Sequence, residues 1–150
     1  MKRLLALLSL AVLTLTSGCA GGGDAGNADT SALVVSGGDS SESYSRADLE
    51  SLGATESEFN GVAYTGVPVD VLVEDAGFDP ASVRAVKAVA ADGFTVNYDP
   101  GQVFGDGIIV AYALADGSDL SADDGAFRMV LPGQEGKLNL RMLVELQVTQ

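Results

Sequence analysis

Residues 64–72 read Tyr64-Thr65-Gly66-Val67-Pro68-Val69-Asp70-Val71-Leu72, and the order of the fold follows from them. Within it, Gly66-Val67-Pro68 introduces the clearest helix of the chain. Pro68 suits the first helical position, because the N–H it lacks would be unpaired there anyway. Val69, Leu72, Val73 and Ala76 then share one face at helical spacing, while Asp70, Glu74 and Asp75 face water. Gly77 stops the helix.

Upstream, Ala32–Ser36 reads as a first strand closed by Gly37-Gly38, and Asp39 to Ser43 reads as a polar loop. Ser45-Arg46-Ala47-Asp48 has capping-box spacing, with Asp in place of Glu or Gln. It opens a short helix to Leu52, ended by Gly53, and Glu56 to Ala63 follows as an extended segment. Downstream the period changes to two. Val86, Ala88 and Ala90 alternate, Asp92-Gly93 signals a hairpin turn, and Phe94, Val96 and Tyr98 alternate again. Asp99-Pro100-Gly101 breaks that strand. Further strands are expected over Ile108–Ala113, Phe127–Leu131 and Leu143–Val148. The pattern is α+β and mostly β, a mixed sheet or barrel-like domain with two or three short helices.

The start of the chain carries a different message. Met1-Lys2-Arg3 precedes a largely apolar run from Leu4 to Leu15, then Thr16-Ser17-Gly18-Cys19. Twelve residues are too few to span a bilayer, which needs about 20. A basic n-region before a short apolar run is a signal peptide. Gly18-Cys19 followed by a polar, glycine-rich stretch resembles the lipobox of bacterial lipoproteins. That resemblance implies cleavage before Cys19 and acylation of its sulfur, with stable anchoring through more than one acyl chain. The expected organisation is a signal peptide over 1–18, a tether over 19–30 spanning about 20 Å as a coil, and a folded domain over 31–150. The expected location is extracytoplasmic: the outer membrane of a Gram-negative cell, where Ala20 follows the cysteine, or otherwise the outer face of the cell membrane.

Composition closes several doors. The chain has 8 basic and 21 acidic residues, no histidine and one cysteine. Loss of residues 1–18 removes Lys2 and Arg3 and no acid, leaving a charge of −15. Such a charge opposes binding to nucleic acid and to anionic headgroups. An intramolecular disulfide is impossible with one cysteine. Histidine-based metal sites, Ser-His-Asp triads and histidine proton shuttles are excluded.

Five segments, in order over residues 33–148, resemble the molybdopterin-binding domain of the sulfite oxidase family. Residues 64–72 are similar to its aromatic-x-Gly-Val-Pro-Leu-x-x-Leu-Leu helix start, and Ala90-Ala91-Asp92-Gly93-Phe94 to its Ser-Ala-Asp-Gly-Tyr turn. Ile109–Gly117 resembles its Leu-Leu-Ala-Tyr-x-x-x-Gly strand and turn, Gly125–Gly133 its Gly-Pro-Leu-Arg-Leu-Val-Val-Pro-Gly strand, and Arg141–Val148 its closing Lys-Trp-Leu-x-x-Ile-x-Val. The resemblance implies an oxidoreductase fold whose molybdenum is ligated by a cysteine thiolate, a soft donor. That cysteine belongs to a segment before the helix start. Here the matching stretch, Gly53–Ala63, is short and has no cysteine. Pocket-lining histidine is absent, arginines are few, and Leu138 stands where the family has a basic residue. Arg141 matches a basic position near the pterin phosphate.

The reading that follows is a membrane-anchored, non-catalytic binding or interaction domain, with an unidentified small ligand or protein partner. No catalytic residue, metal site or cofactor is expected in it. Its alternative is a molybdopterin-binding oxidoreductase subunit. The candidate ligand residues are Tyr64, beside the altered segment, Lys137, in the loop Gly133–Lys137, and Arg141. Phe59, Phe94, Tyr98 and Tyr112 are read as core and edge packing. A second alternative, a calcium-responsive surface domain, rests on Asp116, Asp119, Asp123 and Asp124. Oxygen ligands suit calcium, but the loop lacks the EF-hand order and its closing glutamate. Glu56 and Glu58 are expected on a solvated strand face.

Overall fold

The computed structural model describes residues 31–150. Cys19 and the signal and tether segments lie outside them. Strands β1 (Leu33–Gly37), β2 (Ser40–Tyr44), β5 (Ala85–Ala90), β6 (Thr95–Tyr98) and β9 (Leu143–Thr149) form one sheet in the order β2-β1-β9-β5-β6. It is mixed: β1 and β9 run parallel, and the other pairs are antiparallel. Strands β3 (Thr55–Phe59), β4 (Val62–Pro68), β7 (Ile109–Leu114) and β8 (Arg128–Val130) form a second, antiparallel sheet in that order. Three short helices complete the described part: α1 (Arg46–Ser51), α2 (Val69–Asp75) and α3 (Pro100–Val103). The mostly β, α+β architecture is the expected one. Among the described residues no helix is long and apolar enough to cross a membrane.

Helix α1 forms as its cap dictates. The Ser45 N–H donates to Asp48 Oδ2 at 2.8 Å, and the Asp48 N–H donates back to Ser45 Oγ at 3.3 Å. Helix α2 buries Val69, Leu72 and Val73 completely. Burying each such side chain is worth about 1.5–3 kcal/mol. The main core takes residues from both sheets, with Leu33, Val86 and Leu146 from one and Val67, Val110 and Met129 from the other. Strand β7 is buried on both faces. Val110 and Tyr112 enter the main core, while Ile109 and Ala111 join Tyr64 and Val130 in a second cluster.

Four local expectations are corrected. Residues 39–43 are not a loop, because Ser40–Tyr44 pairs antiparallel with β1 across a Gly38-Asp39 turn. This edge strand exposes Ser40 through Ser43, so it lacks the apolar alternation that marks a strand. The extended segment 56–63 is a hairpin, with Asn60 (φ 52) and Gly61 (φ 77) in the left-handed region that its two-residue turn requires. Pro68 is not the first helical residue. It is the N-cap at ψ 139, still paired with Ile109 of β7. Asp99-Pro100 does more than end β6: it starts α3, where the Asp99 N–H donates to Gln102 Oε1 at 3.1 Å.

Two buried tyrosines give the fold an alkaline limit. Burial pushes the Tyr98 phenol far above its ordinary value of 10.0, and its O–H donates to the Leu138 carbonyl at 2.5 Å. Tyr44 is raised as well, first by burial and then by the hydrogen bond to Asp75. A raised folded-state pKa means that this stability is complete below the unfolded value and lost as pH climbs through the folded one. The urea midpoint is therefore expected to hold from neutrality to about pH 10, the ordinary tyrosine value, and to fall above it. A midpoint that stays flat about one pH unit beyond that value would contradict the assignment.

Candidate functional site

The two sheets leave a cleft of about 400 Å³ between the β3–β4 turn (Phe59, Asn60) and the β5–β6 turn (Asp92, Phe94). Its remaining wall comes from Ala90, Asp123, Arg128, Gly136, Lys137 and residues 139–142. Three of the six basic residues in 31–150 meet here: Arg128, Lys137 and Arg141.

Arg128 is the organising group. Its residue is 2% exposed. Nη1 donates to Asp124 Oδ1 at 2.6 Å and to the Tyr64 hydroxyl at 3.0 Å. The guanidinium carbon lies 4.7 Å from the centre of the Tyr64 ring and 5.8 Å from that of Phe59, within cation–π range. Asp124 is held in turn by the Ser121 hydroxyl at 2.9 Å and faces Arg141 Nε at 3.4 Å. Asn139, also buried, pins the segment below. Its Oδ1 accepts from the Leu131 N–H at 2.6 Å, and its Nδ2 donates to the carbonyls of Leu131 and Glu135.

Arg141 and Met142 reach the rim through a strained backbone. Met142 has φ 53, a conformation that costs a non-glycine residue about 1 kcal/mol or more. Two hydrogen bonds hold it there, from the Met142 N–H to the Asp124 carbonyl at 2.7 Å and from the Ala91 N–H to the Met142 carbonyl at 2.8 Å. Phe94 stands beside it, 53% exposed. Its alternation with Val96 and Tyr98 suggested packing, but the Asp92 carboxylate caps the turn by accepting the Phe94 N–H. Phe94 thus lies beyond the end of β6, outside the core.

Of the three expected ligand residues, Lys137 and Arg141 line the cleft together. Lys137 is exposed and pairs with Glu135 at 2.8 Å, a hydrogen bond that raises its pKa and lowers that of the glutamate. Tyr64 does not line the cleft. It is buried one layer behind, under Arg128. Arg128 was not singled out from the sequence, although a lone arginine in the apolar run Phe127–Leu131 is a signal for a paired, buried charge. The calcium reading finds no gathered ligands. Asp116 accepts from Ser118, Asp119 from Arg46, and Asp124 points inward to Arg128. Among the described residues no group of three or more acidic or thiol side chains is placed to hold a metal. Glu56 and Glu58 are solvated, as expected.

This fold and cleft define an α+β domain of the sulfite-oxidase type. The family model of the oxidoreductase molybdopterin binding domain matches residues 25–150, and the chain belongs to that family. Its fold is similar to the crystal structure of the sulfane dehydrogenase SoxCD from Paracoccus pantotrophus, with a TM-score of 0.66 at 20% identity. The match covers 79% of this chain and 38% of that one, so the chain spans well under half of its solved relative. No curated protein matches it.

The family implies a molybdopterin, and the donor set tests whether this domain fits one. Residues 31–150 contain no cysteine and no histidine. The stretch that resembles the ligand segment is spent in the β3–β4 hairpin, where Glu56 pairs with Thr65 and Ser57 with Tyr64. It offers carboxylates, a serine hydroxyl and an asparagine amide, which are hard donors, where the resemblance implies a soft thiolate. These residues do not fit a thiolate-ligated molybdenum centre.

Proposed function

We propose that this chain is an extracytoplasmic lipoprotein anchored through Cys19, whose folded part is a non-catalytic binding domain on a molybdopterin-oxidoreductase framework. One observation carries the reading. The segment where the resemblance calls for a metal-ligating cysteine is a closed two-residue hairpin without a thiol, while the cleft beside it keeps its charged and aromatic walls. The cleft volume lies within the range of small-molecule sites. The partners of such a module are the membrane, through its acyl chains, and a small ligand or protein at the cleft. Its acidity disfavours nucleic acid.

Elemental analysis of the full chain purified from its native membrane tests the central point. The expected result is no molybdenum above background and no pterin fluorescence after oxidation. Stoichiometric metal or pterin overturns the non-catalytic reading and favours an oxidoreductase subunit. The anchor has its own test: Cys19→Ser is expected to move the protein from the membrane fraction to the soluble one, because the acyl chains supply the membrane affinity. A variant that stays with the membrane contradicts it.

A further inference from the structure

We propose that the cleft between the β3–β4 and β5–β6 turns binds a free aromatic amino acid as its zwitterion. This rests on the reading of the chain as a binding module without a metal centre, and it names the ligand class for that module.

The argument begins with what the cleft leaves unspent. Asp123 lines it and makes no ion pair or side-chain hydrogen bond among the described residues. The Arg141 side chain is 60% exposed and engages only Nε, at 3.4 Å, so both of its Nη groups are free. Lys137 meets Glu135 through one contact, and both side chains are about 70% exposed. Such a pair contributes little and yields readily to a ligand. Free donors and a free acceptor therefore border one cavity. The exposed Phe94 ring and the Met142 side chain add apolar surface to it.

Charge then selects among ligands. Residues 31–150 carry 19 acids against six bases, so a multiply charged anion is repelled by the domain as a whole. A cation meets three of those six bases at the cleft. A ligand with one charge of each sign avoids both penalties. In an α-amino acid the two charges are held on one carbon, close enough to be met within a single small cleft. The carboxylate takes the Arg141 and Lys137 donors, with Arg128 behind them, and the ammonium donates to Asp123. A flat side chain covers Phe94, and offset or edge-to-face ring contacts add to its area burial. The strain at Met142 falls at this rim, as strained backbone tends to do at ligand sites.

Isothermal titration of the detergent-solubilised full chain with L-tryptophan tests the proposal, with N-acetyl-L-tryptophan, L-tryptophanamide and inorganic phosphate as companions. Saturable 1:1 binding of tryptophan is expected. Each derivative, lacking one charge, is expected to bind about tenfold more weakly or worse, the scale of a charged hydrogen bond. Arg141→Gln and Phe94→Ala should weaken tryptophan. Asp123→Asn should weaken tryptophan yet leave N-acetyl-L-tryptophan unchanged, since that ligand has no ammonium to lose. No saturable heat with tryptophan at millimolar concentration overturns the proposal. So does equal binding of both derivatives, or binding of phosphate alone. Molybdenum measured on the same preparation separates the two levels. Metal-free protein that ignores tryptophan refutes only the ligand, whereas metal-loaded protein refutes the module itself.

Discussion

Gly66→Ala is expected to cost about 3 kcal/mol, the top of the usual range for overpacking and a large share of a typical domain's stability. Gly66 lies in β4 where the pairing with β7 shifts register, Thr65 facing Ala113 and Gly66 facing Ala111. Tyr112 is the extra residue on β7, and its ring goes into the main core. A Cβ on Gly66 would run into the Val110 carbonyl oxygen and lie 2.6 Å from Ala111 Cα. Those obstacles are backbone atoms of the neighbouring strand, so no rotamer change relieves them and the two strands must part. They are the two inner strands of their sheet, which makes a local accommodation costly. Gly101→Ala is the control. Nothing lies within 4 Å of its would-be Cβ and it sits inside α3, so it is expected to be neutral or slightly stabilising. Urea unfolding of both variants reads the contrast directly. A Gly66→Ala midpoint matching wild type would show that the strand contact is not as tight as described.

Arg128→Leu is expected to cost about 3 kcal/mol, at the lower end of the range for breaking a buried ion pair. Removing the guanidinium leaves the Asp124 carboxylate in a site where its side chain is 9% exposed. It also takes away the partner of the Tyr64 hydroxyl. Arg141 moderates the loss, but it is largely exposed and 3.4 Å away. The informative measurement is a double-mutant cycle with Asp124→Leu. With both charges gone, no unpaired ion remains in the interior, so the double variant should lose clearly less than the two single losses combined. Strict additivity would mean that the pair is not coupled, and that Arg128 serves the cleft by shape alone.

Helix α2 and strand β5 were legible in the sequence for a shared reason: each presents a repeating apolar face. The period at Val69, Leu72, Val73 and Ala76 and the alternation at Val86, Ala88 and Ala90 both became buried surface. Where one face is not buried, that signal disappears. Strand β2 exposes four of its five residues. Its place in the sheet comes from backbone pairing with β1, to which side-chain hydropathy is blind. The Asn60-Gly61 turn carries a signal of its own, but the polar residues Glu56, Ser57 and Glu58 before it show no alternation with apolar ones.

The site divides the same way. Arg141 stands out through the family resemblance and Lys137 through its loop, and the structure brings both to one cleft. Tyr64 neighbours the altered segment along the chain, but packing sets it behind Arg128 rather than in the cavity. Arg128 reaches Asp124 four residues away, but its contact with Tyr64 spans 64 residues. The lone arginine in an apolar run signals a paired charge, but nothing local names the Tyr64 contact.

By itself, then, the sequence determined what chemistry the domain lacks, because a side chain that is not encoded cannot be supplied by folding. Residues 31–150 hold no thiol and no imidazole. It also determined the elements with a buried face, since burial requires apolar residues at the period of the backbone. Tertiary structure alone decided which charges became partners. Asp124, one of four aspartates in a polar stretch, is an inward ion-pair partner only because β8 and the segment leading to Met142 close around it. Burial and distance fix the strength of a charge interaction, and both are properties of the assembled fold.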